Sequence, residues 1–160
     1  MTQETGRDIH TYLSFTLGGE QFALDVQNVI KILQMQQFTK IPQSPDYLKG
    51  IINIRGNVIP VVDTYYKFGF DAPEKENNSV IIILNISIRG EDSNVGIMVD
   101  KANEVFEAET NSIQNYPSLA EKYNSNFIAG VYKKQDTFIL ILDIEKVFSS
   151  EDIAELKKIG

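Results

Sequence analysis

Tyr47-Leu48-Lys49-Gly50-Ile51, followed by Val61-Val62-Asp63 and Phe68, returns later in the chain as Phe127-Ile128-Ala129-Gly130-Val131, Ile141-Leu142-Asp143 and Phe148. The offset is constant from Gly50 to Gly130, from Asp63 to Asp143 and from Phe68 to Phe148, so the Gly-to-Asp and Asp-to-Phe spacings are the same in both copies. Aliphatic-aliphatic-Asp strings are common in β proteins, but a constant offset across successive landmarks marks an internal repeat. Looser echoes lie upstream: Leu24-Asp25 leading to Val29 against Val99-Asp100 leading to Val105, and Tyr12 to Leu17 against Val80 to Ile86. The reading is one domain over 12–150, built from two related halves of about 12–70 and 80–148, with strands free to exchange between them. The polar, Pro-containing stretch 71–79 has the composition of an exposed linker. Residues 1–11 read as a flexible tail and 151–160 as a C-terminal helix.

Local patterns fill each half with short strands. Leu13, Phe15 and Leu17 alternate with Ser14 and Thr16, a half-buried β pattern, and Gly18-Gly19 permits a tight hairpin into Gln21–Leu24. Ile51–Ile54 and Val58–Val62 flank an Arg55-Gly56 turn, mirrored by Phe127–Tyr132 and Phe138–Leu142 around Gln135-Asp136. Pro60 assigns its strand to a sheet edge or a bulge, because it has no N–H to donate. Val80–Leu84 is a continuous β-branched run that reads as a central strand buried on both faces. Asp25, Asp63 and Asp143 each stand where a strand pattern stops, placed to cap a short helical turn. Ser149 and Asp152 have capping-box spacing, and Ile153, Leu156 and Ile159 recur at helical intervals. The fold class is therefore mainly β, two small five-stranded barrels with short helices, since closure is how such short-stranded sheets hide their edges.

The composition removes most chemistry. There is no Cys, which excludes disulfides, thiol nucleophiles and thiolate metal sites. The single histidine, His10, precedes the first strand pattern and reads as a tail residue; with Asp8 it supplies two of the ligands a metal needs and leaves the others missing. No Ser-His-Asp triad and no glycine-rich phosphate loop can be assembled, so neither a catalytic centre nor a cofactor nor a metal is expected. The net charge of −7, with Lys and Arg scattered, argues against nucleic acid as a partner. The first ten residues carry Glu4, Arg7 and Asp8 and lack a secretory apolar run, and no run approaches membrane-spanning length, so neither export nor direct membrane insertion is expected. Asp63 and Asp143 are the carboxylates best placed for a hydrolase pair, but their shared position at a strand end is also that of a cap. Phe15, Phe22, Phe68, Phe127 and Phe148 read as core, and Tyr65-Tyr66 as either a contact surface or a half-exposed helical turn.

With these residues in view, the chain resembles the CheW family of chemotaxis scaffolds from Tyr12 to about Leu156. Tyr12-Leu-Ser-Phe-Thr-Leu-Gly-Gly-Glu-Gln-Phe-Ala-Leu-Asp-Val26 is similar to the family's opening hairpin. Lys49-Gly-Ile-Ile-Asn-Ile-Arg-Gly-Asn-Val-Ile-Pro-Val-Val-Asp63 is similar to its hallmark G-x-x-N-L-R-G-x-x-x-P-x-x-D stretch, placing Gly50, Asn53, Arg55, Gly56, Pro60 and Asp63 on the motif. Val95–Asp100 and Ile139–Lys146 also match. The resemblance implies two five-stranded SH3-like barrels side by side and a non-catalytic adaptor in the cytoplasm. Such an adaptor is recruited to membrane-associated receptor arrays, where it couples the cytoplasmic tips of methyl-accepting chemotaxis receptors to the regulatory domain of a CheA-type histidine kinase. It implies a receptor-binding groove between the barrels at Leu13, Val26, Val29, Ile32 and Ala102. It also implies kinase or receptor contacts at Ile41, Arg55 and Val58. From the residues alone, Val26, Val29 and Ile32, at helix-like spacing, are equally readable as core, and Arg55 as the keeper of its turn. Thr64-Tyr65-Tyr66 and Lys31 depart from the family's usual Leu-Arg and glutamate. Arg89–Asn94 lengthens the second-half hairpin. These departures open the alternative of a related non-flagellar chemosensory system, such as one controlling pili.

Overall fold

Gly18 and Gly19 take φ values of 61° and 82°, the left-handed backbone that a two-residue hairpin turn requires and that a glycine enters without a Cβ penalty. They join β1 (Ile9–Leu17) to β2 (Glu20–Asp25), the first hairpin in a computed structural model that describes residues 8–75, 78–88, 90–115, 127–148 and 150–159. After a 3-10 turn at Val26–Asn28 come β3 (Val29–Gln34), β4 (Leu48–Ile54), β5 (Asn57–Val62) and helix α1 (Thr64–Phe68). The second half runs β6 (Val80–Ile88), β7 (Glu91–Val99), β8 (Lys101–Glu109), β9 (Ile128–Lys134), β10 (Thr137–Leu142), α2 (Ile144–Val147) and α3 (Ser150–Ile159).

The strands form two five-stranded sheets, β8-β1-β2-β10-β9 and β3-β6-β7-β5-β4. Neither is built from one half of the chain. The hairpin β1–β2 joins the strands of the second half, and the equivalent hairpin β6–β7 joins those of the first. The two orders superpose strand for strand when β1, β2 and β8 are matched to β6, β7 and β3. Each half thus completes its barrel with the other half's hairpin, the exchange that the sequence reading left open. The joints are the only parallel pairings among the described residues, Ile141↔Ala23 with Leu140↔Phe22 and Val61↔Gly96 with Val62↔Ile97. Ala23 and Gly96 occupy the same place, facing Ile141 and Val61, which are counterparts in the repeat. A Cβ on Gly96 would stand 3.1 Å from Val61 Cγ2 and 3.0 Å from Ile81 Cγ2, which explains a small residue there.

What the chain repeats is a geometry. The β4–β5 register slips between Leu48 and Gly50, and that of β9–β10 between Ile141 and Leu142, opposite Gly130 and Ile128. Such bulges bend a strand towards barrel closure. Closure follows at once: Thr39 and Ile51 exchange backbone hydrogen bonds of 3.0 and 2.9 Å, and Gln114 and Val131 exchange bonds of 2.9 and 2.7 Å. The glycines sit under these crossings. A Cβ on Gly50 would meet Thr39 O at 2.9 Å, and one on Gly130 would meet Gln114 O at 2.9 Å and run into Ile113. Asp63 N to Tyr47 O (2.7 Å) and Asp143 N to Phe127 O (2.8 Å) tie off both units.

One apolar cluster spans both barrels, and its centre is aromatic. Phe22 packs on Phe15, Phe68 and Phe70, while Phe68 stacks on Phe127 with centroids 4.5 Å apart. Phe68 and Phe70 follow β5 of one barrel; Phe22 and Phe127 belong to the other, so the rings form the seam. Phe15, Phe22, Phe68, Phe127 and Phe148 are all buried, as their sequence context predicts. Each buried phenyl ring contributes about 1.5–3 kcal/mol relative to exposure.

The surroundings of the strands overturn several expectations. β1 begins at Ile9, where Ile9 and His10 pair with Glu109 and Ala108, so His10 belongs to a strand and not to a tail. β1 is also an interior strand, buried on both faces from Tyr12 to Leu17. Its Ser14 hydroxyl fills the register break against β8, donating to Glu104 O (3.1 Å) and accepting from Glu104 N (3.2 Å). Pro60 lies in an interior strand, at the point where the β5–β7 ladder stops. Asp25 caps its turn through Gln27 N at 2.9 Å, and Asp63 caps through Tyr66 N at 3.2 Å. Asp143 makes no side-chain cap and faces Lys146 Nζ at 3.9 Å. In α3, Leu156 is buried and Asp152 pairs with Lys67 of α1 at 2.5 Å; Ser149 lies outside the described residues. β6 is a central strand with Ile81–Leu84 buried, as its composition requires.

Gly130→Ala is expected to lower stability by about 1–3 kcal/mol, because a methyl group there overpacks a backbone crossing. The check is a urea midpoint that falls while the denaturant slope stays constant.

Candidate functional site

The chain passes between barrels twice by the same device, a hairpin strand that ends at an aspartate. β2 ends at Asp25, whose carboxylate accepts from Gln27 N and lies 3.7 Å from His10 Nδ1. Asn28 Nδ2 then donates to Asn85 O at 3.1 Å, fastening the turn to β6. β7 ends before Asp100, whose backbone N–H donates to Thr16 O at 2.8 Å and whose carboxylate accepts from Gly19 N at 3.4 Å. The Tyr65 hydroxyl donates to the same carboxylate. Asp100 therefore binds together the β1–β2 turn, α1 and the start of β8.

Of the three residues after Asp63 that depart from the family pattern, two turn inward. Thr64 is buried, and its Oγ1 accepts from Met98 N at 3.1 Å, satisfying a backbone donor beside α1. Tyr65 is buried as well, and its phenol is held well above the ordinary value of 10.0, first by burial and then by the hydrogen bond to Asp100. Tyr66 is 57% exposed and is the member of the trio open to solvent.

The five residues assigned to a groove separate in the structure. Leu13 is 5% exposed; it is core beneath the crossovers and offers no surface to a partner. Val26 belongs to the 3-10 turn, and Val29 and Ile32 to strand β3, so their i, i+3 spacing is not that of a helix. Val29 is half-buried against the core, while Ile32 is 42% exposed. Ala102, opposite Phe15 on β8, is half-buried against the same core. Ile30 on β3 and Val105 on β8 are exposed apolar side chains that sequence reasoning missed. The run Val29-Ile-Lys-Ile-Leu33 has no clear alternation, and only the placement of β3 and β8 as matching sheet edges singles them out.

The second set gathers at the β4–β5 hairpin. Asn53 Oδ1 accepts from Gly56 N at 2.9 Å, bracing a turn in which Arg55 has φ 52° and Gly56 φ 85°. Arg55 is exposed, and among the described residues its guanidinium has no ion-pair or hydrogen-bond partner. Ile41 is half-buried against the core, and Val58 is 40% exposed. Phe138, the counterpart of Val58 in the repeat, is 53% exposed at the same place in the other barrel. That correspondence was the available signal for it, masked by the reading of Phe138 as part of an apolar strand. Asp63 and Asp143 stand at helix starts. Among the described residues no three His, Cys, Asp or Glu side chains gather as metal ligands. Among the same residues, no helix is long and apolar enough to cross a membrane.

The family model for the CheW-like domain matches residues 11–152. The chain is 33% identical to the chemotaxis protein CheW of Klebsiella aerogenes, over 89% of this chain and 84% of that one. It is 28% identical to CheW of Helicobacter pylori, over 93% and 87%. It is 24% identical to protein PilI of Pseudomonas aeruginosa, over 80% and 70%. Among solved structures, the scaffolding protein TtCheW of Thermoanaerobacter tengcongensis aligns with a TM-score of 0.76 at 30% identity, covering 95% of this chain and 96% of that one.

Tyr65→Phe removes a hydrogen bond to a carboxylate and is expected to cost about 1.5–3 kcal/mol at neutral pH. Because the folded state holds the phenol proton more tightly than the unfolded chain, this stability is present below pH 10.0 and is lost as pH rises through the folded value. Chemical denaturation from neutral to strongly alkaline pH should show a decline at the alkaline end that is shallower in the variant.

Proposed function

This chain belongs to the family of CheW-like domains, and from that premise we propose that it couples the cytoplasmic tips of methyl-accepting chemotaxis receptors to the regulatory domain of a CheA-type histidine kinase. It is a chemotaxis scaffold built of two SH3-like barrels, and it catalyses no reaction. Its partners are proteins. The observation that carries the partner assignment is the distribution of exposed apolar side chains, which occur at the crossover strands (Ile30, Ile32, Val105) and again at the hairpins β4–β5 and β9–β10 (Val58, Phe138). A molecule that presents apolar contacts on both barrels is suited to hold two partners at once, with weak contacts multiplied by avidity in an array.

In this reading Val26, Val29, Ile32 and Ala102 take the apolar face of a receptor helix, extended by Ile30 and Val105 and supported from below by Leu13. Ile41, Arg55 and Val58 form the contact with the kinase, Arg55 as an exposed charge and Val58 as an exposed apolar anchor. Gly50, Asn53, Gly56, Pro60 and Asp63 hold the shape of that hairpin and need not touch the partner. The setting is the cytoplasmic face of a membrane-associated receptor array. A role in a related non-flagellar system is the weaker reading, because Thr64 and Tyr65, two of the departures beside Asp63 that support it, are buried. The likeness to PilI is also lower than to chemotaxis CheW.

Ile32→Asp and Val58→Asp alter exposed side chains and should leave thermal unfolding nearly unchanged. Titration calorimetry of the full chain is expected to show Ile32→Asp weakening a receptor hairpin tip about tenfold or more, about 1.4 kcal/mol, with the kinase domain unaffected, and Val58→Asp giving the converse. Equal effects of both variants on both partners would refute the assignment.

A further inference from the structure

β5 and β7 are neighbours in one sheet, yet their ladder is two residue pairs long, Val61↔Gly96 and Val62↔Ile97. Both strands begin well before that point, at Asn57 and Glu91, so they diverge and leave a cleft of about 960 Å³ between Asn57–Pro60 and Glu91–Val95, with Leu156 of α3 at its lining. The corresponding joint in the other barrel has shorter walls. There β2 starts at Glu20, close before Ala23, whereas β7 starts at Glu91, further ahead of Gly96. The longer β6–β7 hairpin therefore builds one wall of the cleft. Pro60 keeps the other wall from closing on it, because it has no N–H to extend the ladder.

A strand that stops pairing on one side presents alternating main-chain donors and acceptors there, a template for an added strand. The wall opposite β7 is apolar at Val58, Ile59 and Pro60. Among the described lining residues the charged ones are Glu91 and Asp92, and none is basic. We propose that this cleft is a docking site for an extended segment of a partner protein that alternates basic and apolar residues. The segment pairs with β7 over Asp92–Val95, sets its apolar side chains against the β5 wall and its cations toward Asp92. The site shares Val58 with the surface assigned to the kinase but does not rest on that assignment, since main-chain geometry and charge define its occupant.

The test uses the full-length, isotope-labelled chain titrated with a synthetic peptide of about six alternating valines and lysines, near the usual strand length. The expected result is amide shifts confined to Asn57–Ile59 and Asp92–Val95, with affinity lowered about tenfold by Asp92→Lys at an unchanged melting temperature. Three control ligands are the valine–glutamate peptide, the valine–lysine peptide with a central proline, and spermine. All three are expected to bind about tenfold more weakly or not at all. Absence of shifts at millimolar peptide, shifts centred elsewhere, or equal binding of the acidic peptide would overturn the proposal. Equal effects from spermine or the proline peptide would reduce the site to a charge effect and overturn strand addition.

Discussion

Two short parallel ladders, Ile141↔Ala23 with Leu140↔Phe22 and Val61↔Gly96 with Val62↔Ile97, hold the exchanged hairpins in place, and neither half can close a barrel without them. They connect strands far apart in sequence, and a pairing of two residues is weak by itself. It holds because the phenyl seam of Phe15, Phe22, Phe68, Phe70 and Phe127 buries both joints from the side where the barrels meet. Small residues at Ala23 and Gly96 let the ladders approach, so the packing and the pairing require one another.

Exchange also determines where surface is available. A chain that trades hairpins must cross between barrels twice, and each crossing creates an edge strand, β3 or β8, beside a pinned aspartate. The apolar side chains left outward there, Ile30, Ile32 and Val105, have no place in either core because the interior strands β1 and β6 already fill it. Tyr65 and Asp100 fix one crossing through a bond between a buried phenol and a carboxylate. Preorganisation of this kind lowers the ordering cost of binding and is what a scaffold can contribute in place of chemistry.

The carboxylates likewise serve structure. Asp25 and Asp63 satisfy orphan amide donors, Asp152 holds α3 to α1 through Lys67, and Asp100 ties three segments together. This accounts for an acidic chain in which the acids most suggestive of catalysis stand at helix starts.

The repeat unit was legible in the residues alone. Gly50 and Gly130, with the aliphatic pairs that follow them, encode the same bulge and the same barrel-closing bridge, because each is a local geometry that a fixed residue type must satisfy, and Asp63 and Asp143 mark the same helix start. The core phenylalanines, the β class and, through the hallmark stretch, the family were legible in the same way. Which half completes which barrel was settled by long-range packing, since a hairpin's pattern of apolar residues is the same whichever sheet receives it. Packing alone moved His10 into a strand, turned Thr64 and Tyr65 inward, buried Leu13, and exposed Ile30, Val105 and Phe138. Those outcomes depend on whether a strand is an edge or a centre, and that is a property of neighbours far away in sequence, which no local pattern records.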